Sequence, residues 1–243
     1  MKYFATFAAL FVLSVPVTAQ ITVTPKKVVY ERKSTEAPDF KKKFEVTYPV
    51  FEDVTDTAVK KRLEESVDYW KIFDTTLEEN LGDYYWLDSF WYEVGYNKNS
   101  LVVIKLFMEG SGAYPDGVVK TFVLDTTTGQ RVAIQETFTG LPELVEKLSK
   151  MQEAEIANDI KQWKEEEGDA DAADTIAQEM EGKAITVESL EEFSVTDDGV
   201  IFHFDYGFPY AIRAFQPLGD YSFTWEEISP HIRKDGILGR FRK

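Results

Sequence analysis

The sequence contains no cysteine, only two histidines, and no apolar run long enough to cross a bilayer. Without cysteine, the chain cannot form disulfides, thiolate metal sites or an acylated lipoprotein anchor. The paired-histidine motifs of zinc enzymes are absent as well, because His203 and His231 lie far apart in the chain. We therefore expect no metal and no other cofactor, and a fold that depends on its hydrophobic core alone.

A short apolar segment does open the chain. Lys2 precedes an apolar run at residues 4–15, and small side chains lead up to Ala19. Signal peptidase needs small residues at the first and third positions before the cut, so this pattern indicates a signal peptide at residues 1–19. An uncleaved anchor is the weaker alternative, because a bilayer needs roughly 20 apolar residues. The sequence thus predicts a secreted or periplasmic protein with no membrane anchor after cleavage.

The sequence also has fewer basic than acidic residues. The chain has 27 basic and 43 acidic residues, and cleavage after Ala19 would remove only Lys2, which takes the net charge from −16 to −17. Such a surface repels phosphate groups, so we expect no nucleic acid partner. It favours a basic protein as the partner, or serves solubility alone.

Residues 101–136 carry the clearest strand pattern. Three runs rich in β-branched and aromatic residues are separated by GSGAYPDG and TTTG, whose residues favour turns. The pattern predicts a three-strand meander with strands in LVVIKLF, VVKTFVLD and QRVAI. Other patterns predict a strand at residues 44–48, a hairpin around Asp198-Gly199, and helices at about 57–73, 141–165 and 172–181. The predicted fold class is α+β, with mostly antiparallel sheets packed with a few helices.

A chain of this length makes one large or two small domains. We divide the mature chain into an N-terminal α+β module at residues 20–100 and a C-terminal α+β module at residues 101–235. Residues 236–243 form a basic tail, which we expect to fray.

Seven aromatic residues fall between residues 84 and 96. Four of them can share one face of a strand that has a bulge near Asp88-Ser89: Trp86, Phe90, Tyr92 and Tyr96. Aromatic clusters with polar atoms are typical both of sugar-stacking surfaces and of ordinary β cores. We favour the core interpretation for this cluster.

No catalytic motif is visible. A nucleophilic triad needs a histidine beside serine or cysteine. His203 lies in a strand between two phenylalanines, which favours a structural histidine, and the position of His231 near the end of a closing helix favours polar surface. We therefore expect a protein that is not an enzyme. The alternative is a hydrolase or deacetylase of cell-wall polysaccharide that uses acids near the aromatic cluster, such as Asp83 or Asp88.

Three segments follow one combined pattern: residues 95–138, FSVTDDGVIFHFDYGFPYA, and SFTWEEISPHI. A strand leads into a glycine-rich turn with an aromatic residue before proline, a second strand ends in aspartate and TTG, and a later strand precedes PYA. This pattern resembles the extracytoplasmic domain of RsiV-type anti-sigma factors and the accessory domain of PdaC-type peptidoglycan deacetylases. The likeness covers most of residues 41–232.

Two positions depart from that family. Tyr114 stands where many relatives carry histidine before the turn proline, and Ile212-Arg213 replaces an expected glycine. We see neither the sigma-binding segment and membrane helix of the RsiV type nor the deacetylase catalytic domain, so the resemblance implies a free-standing extracytoplasmic binding module. In that family one such module binds lysozyme, a basic protein.

These considerations predict an exported, non-enzymatic binding module of the cell envelope, with a basic protein such as lysozyme or a cell-wall glycan as partner. Loops set on a rigid sheet commonly carry function. We therefore expect recognition by the turn GSGAYPDG and the loop FPYAIRAF. The predicted ligand-binding residues are Tyr114, Pro115, Asp116, Phe208, Tyr210 and Arg213.

Overall fold

A computed structural model describes residues 20–83 and 85–242 of the chain. The predicted signal peptide at residues 1–19 lies outside these ranges. Every helix within them is too short or too polar to span a bilayer. The architecture is α+β, as the sequence predicted.

The first sheet has five strands that follow one another in sequence order. They are β1 (Val23–Glu31), β2 (Lys43–Phe51), β3 (Leu87–Lys98), β4 (Leu101–Ser111) and β5 (Pro115–Asp125). Neighbouring strands are antiparallel except β2 and β3, which run parallel. A parallel pair needs a crossover connection. Three short helices supply it: α1 (Thr57–Ser66), α2 (Tyr69–Ile72) and α3 (Leu77–Leu81).

Helices α1 to α3 cover one face of this sheet, because both surfaces are apolar where they meet. Leu63 of α1 and Tyr69 of α2 are buried in the same cluster as Phe90 of β3. Tyr69 and Phe90 stack with 4.8 Å between their ring centres. The core interpretation of the aromatic cluster is thus confirmed for Phe90, and the predicted bulge is present as a register shift between Leu87 and Ser89.

The predicted helix at residues 57–73 is divided into α1 and α2. The Asp68 carboxylate accepts a hydrogen bond from the backbone N–H of Trp70 and so caps the start of α2. An aspartate inside a helical pattern competes for backbone donors in this way, which is why it favours caps over helix interiors. The apolar spacing continued across the break and did not reveal it.

Two of the three predicted meander strands form. β4 and β5 pair from Leu101 opposite Asp125 to Ser111 opposite Pro115. The prediction of a third strand in QRVAI is wrong, since this segment makes only an isolated bridge at Arg131. The Arg131 guanidinium donates instead to the carbonyl of Ser66, and this bond fastens the segment to the end of α1.

The second sheet is antiparallel and contains β6 (Phe193–Val195), β7 (Gly199–His203) and β8 (Asp220–Thr224). The predicted Asp198-Gly199 hairpin is confirmed. Phe193, Phe202 and Phe223 face a core shared with Leu144 and Leu148. Because side chains alternate along a strand, Ser194, His203 and Asp220 lie on the opposite face. The remaining helices are α4 (Ile134–Thr137), α5 (Leu141–Lys161), α6 (Ala170–Glu179) and α7 (Trp225–Ile228).

The limits of the predicted modules lie inside packed structure. The boundary at residues 100–101 falls at the tight turn between β3 and β4, where Asn99 and Ser100 have positive φ, so both predicted modules contribute strands to one sheet. The expectation of a frayed tail is wrong for the described residues. Leu238 is fully buried, and Phe241 stacks on Trp225 with 4.3 Å between ring centres.

Candidate functional site

A groove of about 300 Å³ lies between the two sheets. Residues of β4 and β5 form one side of it, and residues of β7, β8 and the loop between them form the other. Val119 and Leu218 contribute exposed aliphatic surface. Charged or titratable side chains from both sides line the groove: Lys105, Glu192, His203, Asp205, Arg213 and Asp220.

The two predicted recognition loops meet beside this groove. Tyr114, from the turn between β4 and β5, stacks on Tyr210 with 5.3 Å between ring centres. Tyr210 begins a short 3-10 helix, Tyr210–Phe215, and the Arg213 guanidinium of that helix donates to the Asp116 carboxylate. Arg213 and Asp116 are 97 positions apart in the sequence. Four of the six predicted binding residues therefore form one continuous surface.

The other two predicted residues have supporting positions. Pro115 begins β5 opposite Ser111 at the end of the hairpin, where a strand tolerates a residue without an N–H. Phe208 is 1% exposed and packs against Ile176 and Met180. Phe208 is therefore a buried anchor of its loop and not an exposed contact.

Three polar residues of the second sheet form a hydrogen-bonded chain at the groove. His203 Nδ1 lies 2.7 Å from an Asp220 carboxylate oxygen, and His203 Nε2 lies 2.8 Å from Ser194 Oγ. The hydrogen bond with His203 lowers the pKa of the Asp220 carboxyl below its ordinary value. Asp220 is therefore ionised at neutral pH and orients the imidazole ring.

A hydroxyl at Nε2 and a carboxylate at Nδ1 is the order of groups by which serine hydrolases activate their nucleophile. Ser194 is only 5% exposed. The arrangement can pass the Ser194 proton to His203, and it also ties β6, β7 and β8 together on their polar face. These hydrogen bonds were not predicted from the sequence, because the three residues lie on three different strands. The register of the Asp198-Gly199 hairpin was the available signal, since it sets Ser194 diagonally beside His203.

The other residues considered for catalysis have different surroundings. Asp88 accepts hydrogen bonds from the Lys41 ammonium and the Ser111 hydroxyl. These bonds favour a structural role for its carboxylate over a catalytic one. His231 was expected at the polar surface but is buried. Its backbone carbonyl accepts a hydrogen bond of 2.7 Å from Thr139 N–H, next to the bridge between Phe138 and Ile232. Among the described residues, no three or more carboxylate and histidine side chains converge into a metal site.

Comparisons with known proteins identify a shared fold. A DUF3298 family protein from Pseudomonas aeruginosa PAO1 has a TM-score of 0.53 and 12% identity, over 89% of this chain and 96% of that one. A member of the DUF3298 family from Bacteroides fragilis NCTC 9343 has a TM-score of 0.52 and 15% identity, over 93% of this chain and 98% of that one. No protein-family model and no curated protein matches the sequence. At these identities the likeness extends to the α+β fold alone.

Proposed function

We propose that this chain is an exported binding module of the cell envelope and not an enzyme, and that the groove with the Tyr114–Tyr210 pair is its recognition surface. The placement of exposed apolar side chains carries the proposal. Seven large apolar residues are exposed in the described ranges. Two of them, Val119 and Leu218, line this groove. Two more, Tyr114 and Tyr210, stack on each other in the loops joined by Arg213, which itself lines the groove. Single exposed apolar residues are ordinary, whereas a group of them around a groove with convergent polar groups marks a binding site.

The two loops that carry Tyr114 and Tyr210 are ordered by contacts with each other in the absence of a partner. Tyr114 is 65% exposed, yet its ring is held against Tyr210. The ion pair between Arg213 and Asp116 joins the same two loops. Tyrosine contributes a large contact area with few torsions to immobilise, and a preformed site avoids the entropic cost of ordering loops on binding.

The net charge favours a basic protein as the partner. The mature chain carries a net charge of −17 once the predicted leader is removed, and the groove is lined by three carboxylates against two cations: Glu192, Asp205 and Asp220 against Lys105 and Arg213. Opposite charge steers encounter and excludes acidic competitors. A cell-wall glycan is the competing ligand, because sugars would stack on the same tyrosine rings.

We expect the mature chain to bind lysozyme in isothermal titration calorimetry at low salt, and to bind it about tenfold more weakly when Tyr114 and Tyr210 are both replaced by serine. An aromatic contact contributes about 0.5 to 1.5 kcal/mol beyond its buried area, and a tenfold change in Kd corresponds to about 1.4 kcal/mol. Phe40→Ser is the matched control, since Phe40 is exposed but belongs neither to the groove nor to the tyrosine pair.

Soluble peptidoglycan fragments, titrated in the same way, test the glycan as the competing ligand. Saturable heat that the double tyrosine variant abolishes would assign the surface to glycan and not to a basic protein. Equal weakening by Phe40→Ser and by the double variant would contradict the proposed surface. The absence of heat with both ligands would remove both named partners.

One observation favours a second candidate, a hydrolase that removes acetyl esters from cell-wall polysaccharide. That observation is the Ser194–His203–Asp220 chain. In this reaction Ser194 Oγ bonds to the acetyl carbon and its proton passes through His203 Nε2 to the departing sugar hydroxyl. Water then releases acetate by the same proton path in reverse. Lys105 and Arg213 line the groove and are the cations that would face the oxyanion.

For the hydrolase we expect a fluorophosphonate probe to label Ser194 and p-nitrophenyl acetate to be cleaved. Both signals should fall by at least about 100-fold in Ser194→Ala. Ser222→Ala is the control, because Ser222 lies on the same face of β8 as Asp220. A wild-type chain that the probe leaves unlabelled would exclude the hydrolase and leave the binding proposal intact.

A further inference from the structure

A second pocket lies on the other face of the first sheet, away from the groove. Val119 lines the groove, whereas its neighbour Val118 lines this pocket, as expected from the alternation of side chains along a strand. The pocket has a volume of about 660 Å³. We call it the aromatic pocket, and its apolar walls are Phe73, Trp86, Leu87, Met108 and Val118.

The aromatic walls are fixed by packing. The Phe73 ring stacks on buried Phe90 with 5.5 Å between centres. Trp86 packs directly over the backbone of Gly110, where a side chain would overlap the indole ring. The pocket therefore presents two ring systems whose positions do not depend on a ligand.

The polar groups of the aromatic pocket are mainly acceptors. Asp74 and Glu79 bring carboxylates to its edge. Glu79 Oε2 also accepts hydrogen bonds from Thr76 N–H at 2.8 Å and from Thr76 Oγ1 at 2.9 Å, which cap the start of α3. Asn80 is 1% exposed, and its Nδ2 donates to Thr75 Oγ1 and to the Thr76 carbonyl, each at 2.8 Å. These bonds fix the orientation of the amide at the wall of the pocket.

No lysine, arginine or histidine lines the aromatic pocket among the residues the structure describes. Its two carboxylates are therefore not neutralised by a cation within the pocket. Aromatic faces attract cations through their electron-rich surfaces. An ammonium group on an apolar body matches both the carboxylates and the aromatic and apolar walls.

We propose that the aromatic pocket binds an organic cation, a primary ammonium carried on an aromatic or aliphatic body. This site is separate from the groove and does not depend on the groove binding a partner. Its ligand class follows from charge complementarity with the two carboxylates and from the aromatic walls. A neutral or anionic molecule of the same shape leaves the carboxylates without an opposite charge and binds more weakly.

Three probes of one shape test the proposal: 2-phenylethylammonium, 2-phenylethanol and phenylacetate, titrated into the mature chain by NMR. We expect saturable binding of the ammonium, about tenfold weaker binding of the alcohol, and none of the acid. The indole N–H signal of Trp86, assigned by its loss in Trp86→Phe, should move with the ammonium. Equal affinity for all three probes, or no saturable shift with any of them, would overturn the proposal.

Asp74→Asn should weaken the ammonium about fivefold and leave the alcohol unchanged. Asp74 has a φ of 48°, a conformation that asparagine tolerates well, so the loop should keep its shape. Asp83→Asn removes the same charge from an exposed position that does not line the pocket, and it should change nothing. If the Tyr114→Ser, Tyr210→Ser variant still binds the ammonium, the ammonium site lies outside the groove. Equal weakening of ammonium binding by Asp74→Asn and by Asp83→Asn would refute the assignment of the ligand to the aromatic pocket.

Discussion

Replacement of Asp88 by alanine is expected to lower the free energy of unfolding by about 2 kcal/mol. The cause is the Lys41 ammonium, which is almost completely buried. It donates to the Asp88 carboxylate, to Ser111 Oγ at 2.7 Å and to the Trp86 carbonyl at 3.2 Å. Loss of one member of a fully buried ion pair costs about 3 to 5 kcal/mol, because the other charge is left alone. The Asp88 side chain is 39% exposed, so after its removal water can solvate the Lys41 ammonium and compensate part of the lost interaction energy.

Asp88 also faces a second buried cation. The Arg32 guanidinium donates to the backbone carbonyls of Lys41 and Leu87. Burial lowers the pKa of Arg32, and the negative charge of Asp88 opposes that change. Two buried cations therefore depend on one carboxylate, so the removal of Asp88 should cost more than the removal of either cation's charge alone.

Lys41→Met provides the informative comparison, with an expected loss below about 1 kcal/mol. The Trp86 carbonyl would keep its 2.8 Å bond from Ser111 N–H, and Asp88 would keep the Ser111 hydroxyl and its contact with solvent. Asp83→Ala controls for the loss of an exposed negative charge. Urea unfolding followed by circular dichroism measures the free energy of unfolding of all three variants. If Asp88→Ala lowers it no more than Asp83→Ala does, the buried cations do not depend on the Asp88 carboxylate.

Sequence alone could not predict the burial of Lys41. It stands first in the run KKK at residues 41–43, and a run of like charges usually lies on a solvated face. Burial results from tertiary packing, since Lys41, just before β2, meets Asp88 at the start of β3 and Ser111 at the end of β4. The charge that compensates Lys41 is distant in the sequence, and no local pattern connects the two.

Local sequence patterns did predict the secondary-structure elements that depend on interactions between residues close in sequence. The turn at Asp198-Gly199 predicts the β6–β7 hairpin, and the regular apolar spacing after Pro142 predicts α5. The residues of QRVAI suit a strand, but the segment makes only an isolated bridge with β5, and its Arg131 side chain bonds to the end of α1. A strand pattern indicates a preference for extended structure, and the neighbouring segments available for pairing determine whether a strand forms.

The candidate surface was predictable in part for the same reason. Turn chemistry singled out the loops that carry Tyr114 and Tyr210, but nothing in either loop indicates that the rings stack. The groove and the Ser194–His203 contact arise only when the second sheet packs beside β5. Chemistry assembled from several strands depends on register and packing, which single-sequence periodicity leaves open.

The glycines of GSGAYPDG look alike in sequence but have different physical roles. Gly110 is buried within β4, opposite Leu87, and the Trp86 indole and carbonyl lie against its backbone. Gly112 lies beyond the strand, and a Cβ there would be 3.9 Å from its nearest neighbour, an atom of the Trp86 ring. The sequence pattern of this segment predicts a turn throughout. The structure instead requires Gly110 for a close approach of two chain segments.

We expect Gly110→Ala to lower the free energy of unfolding by about 3 kcal/mol, because overpacking usually costs about 1 to 3 kcal/mol and here a backbone oxygen must move as well as a side chain. Gly112→Ala should change it by less than about 0.5 kcal/mol. Urea unfolding of the two variants gives both values. Since displacement of Trp86 also reshapes the aromatic pocket, Gly110→Ala should weaken 2-phenylethylammonium binding while Gly112→Ala should not. Equal stability of the two variants would contradict the packing of Trp86 on Gly110.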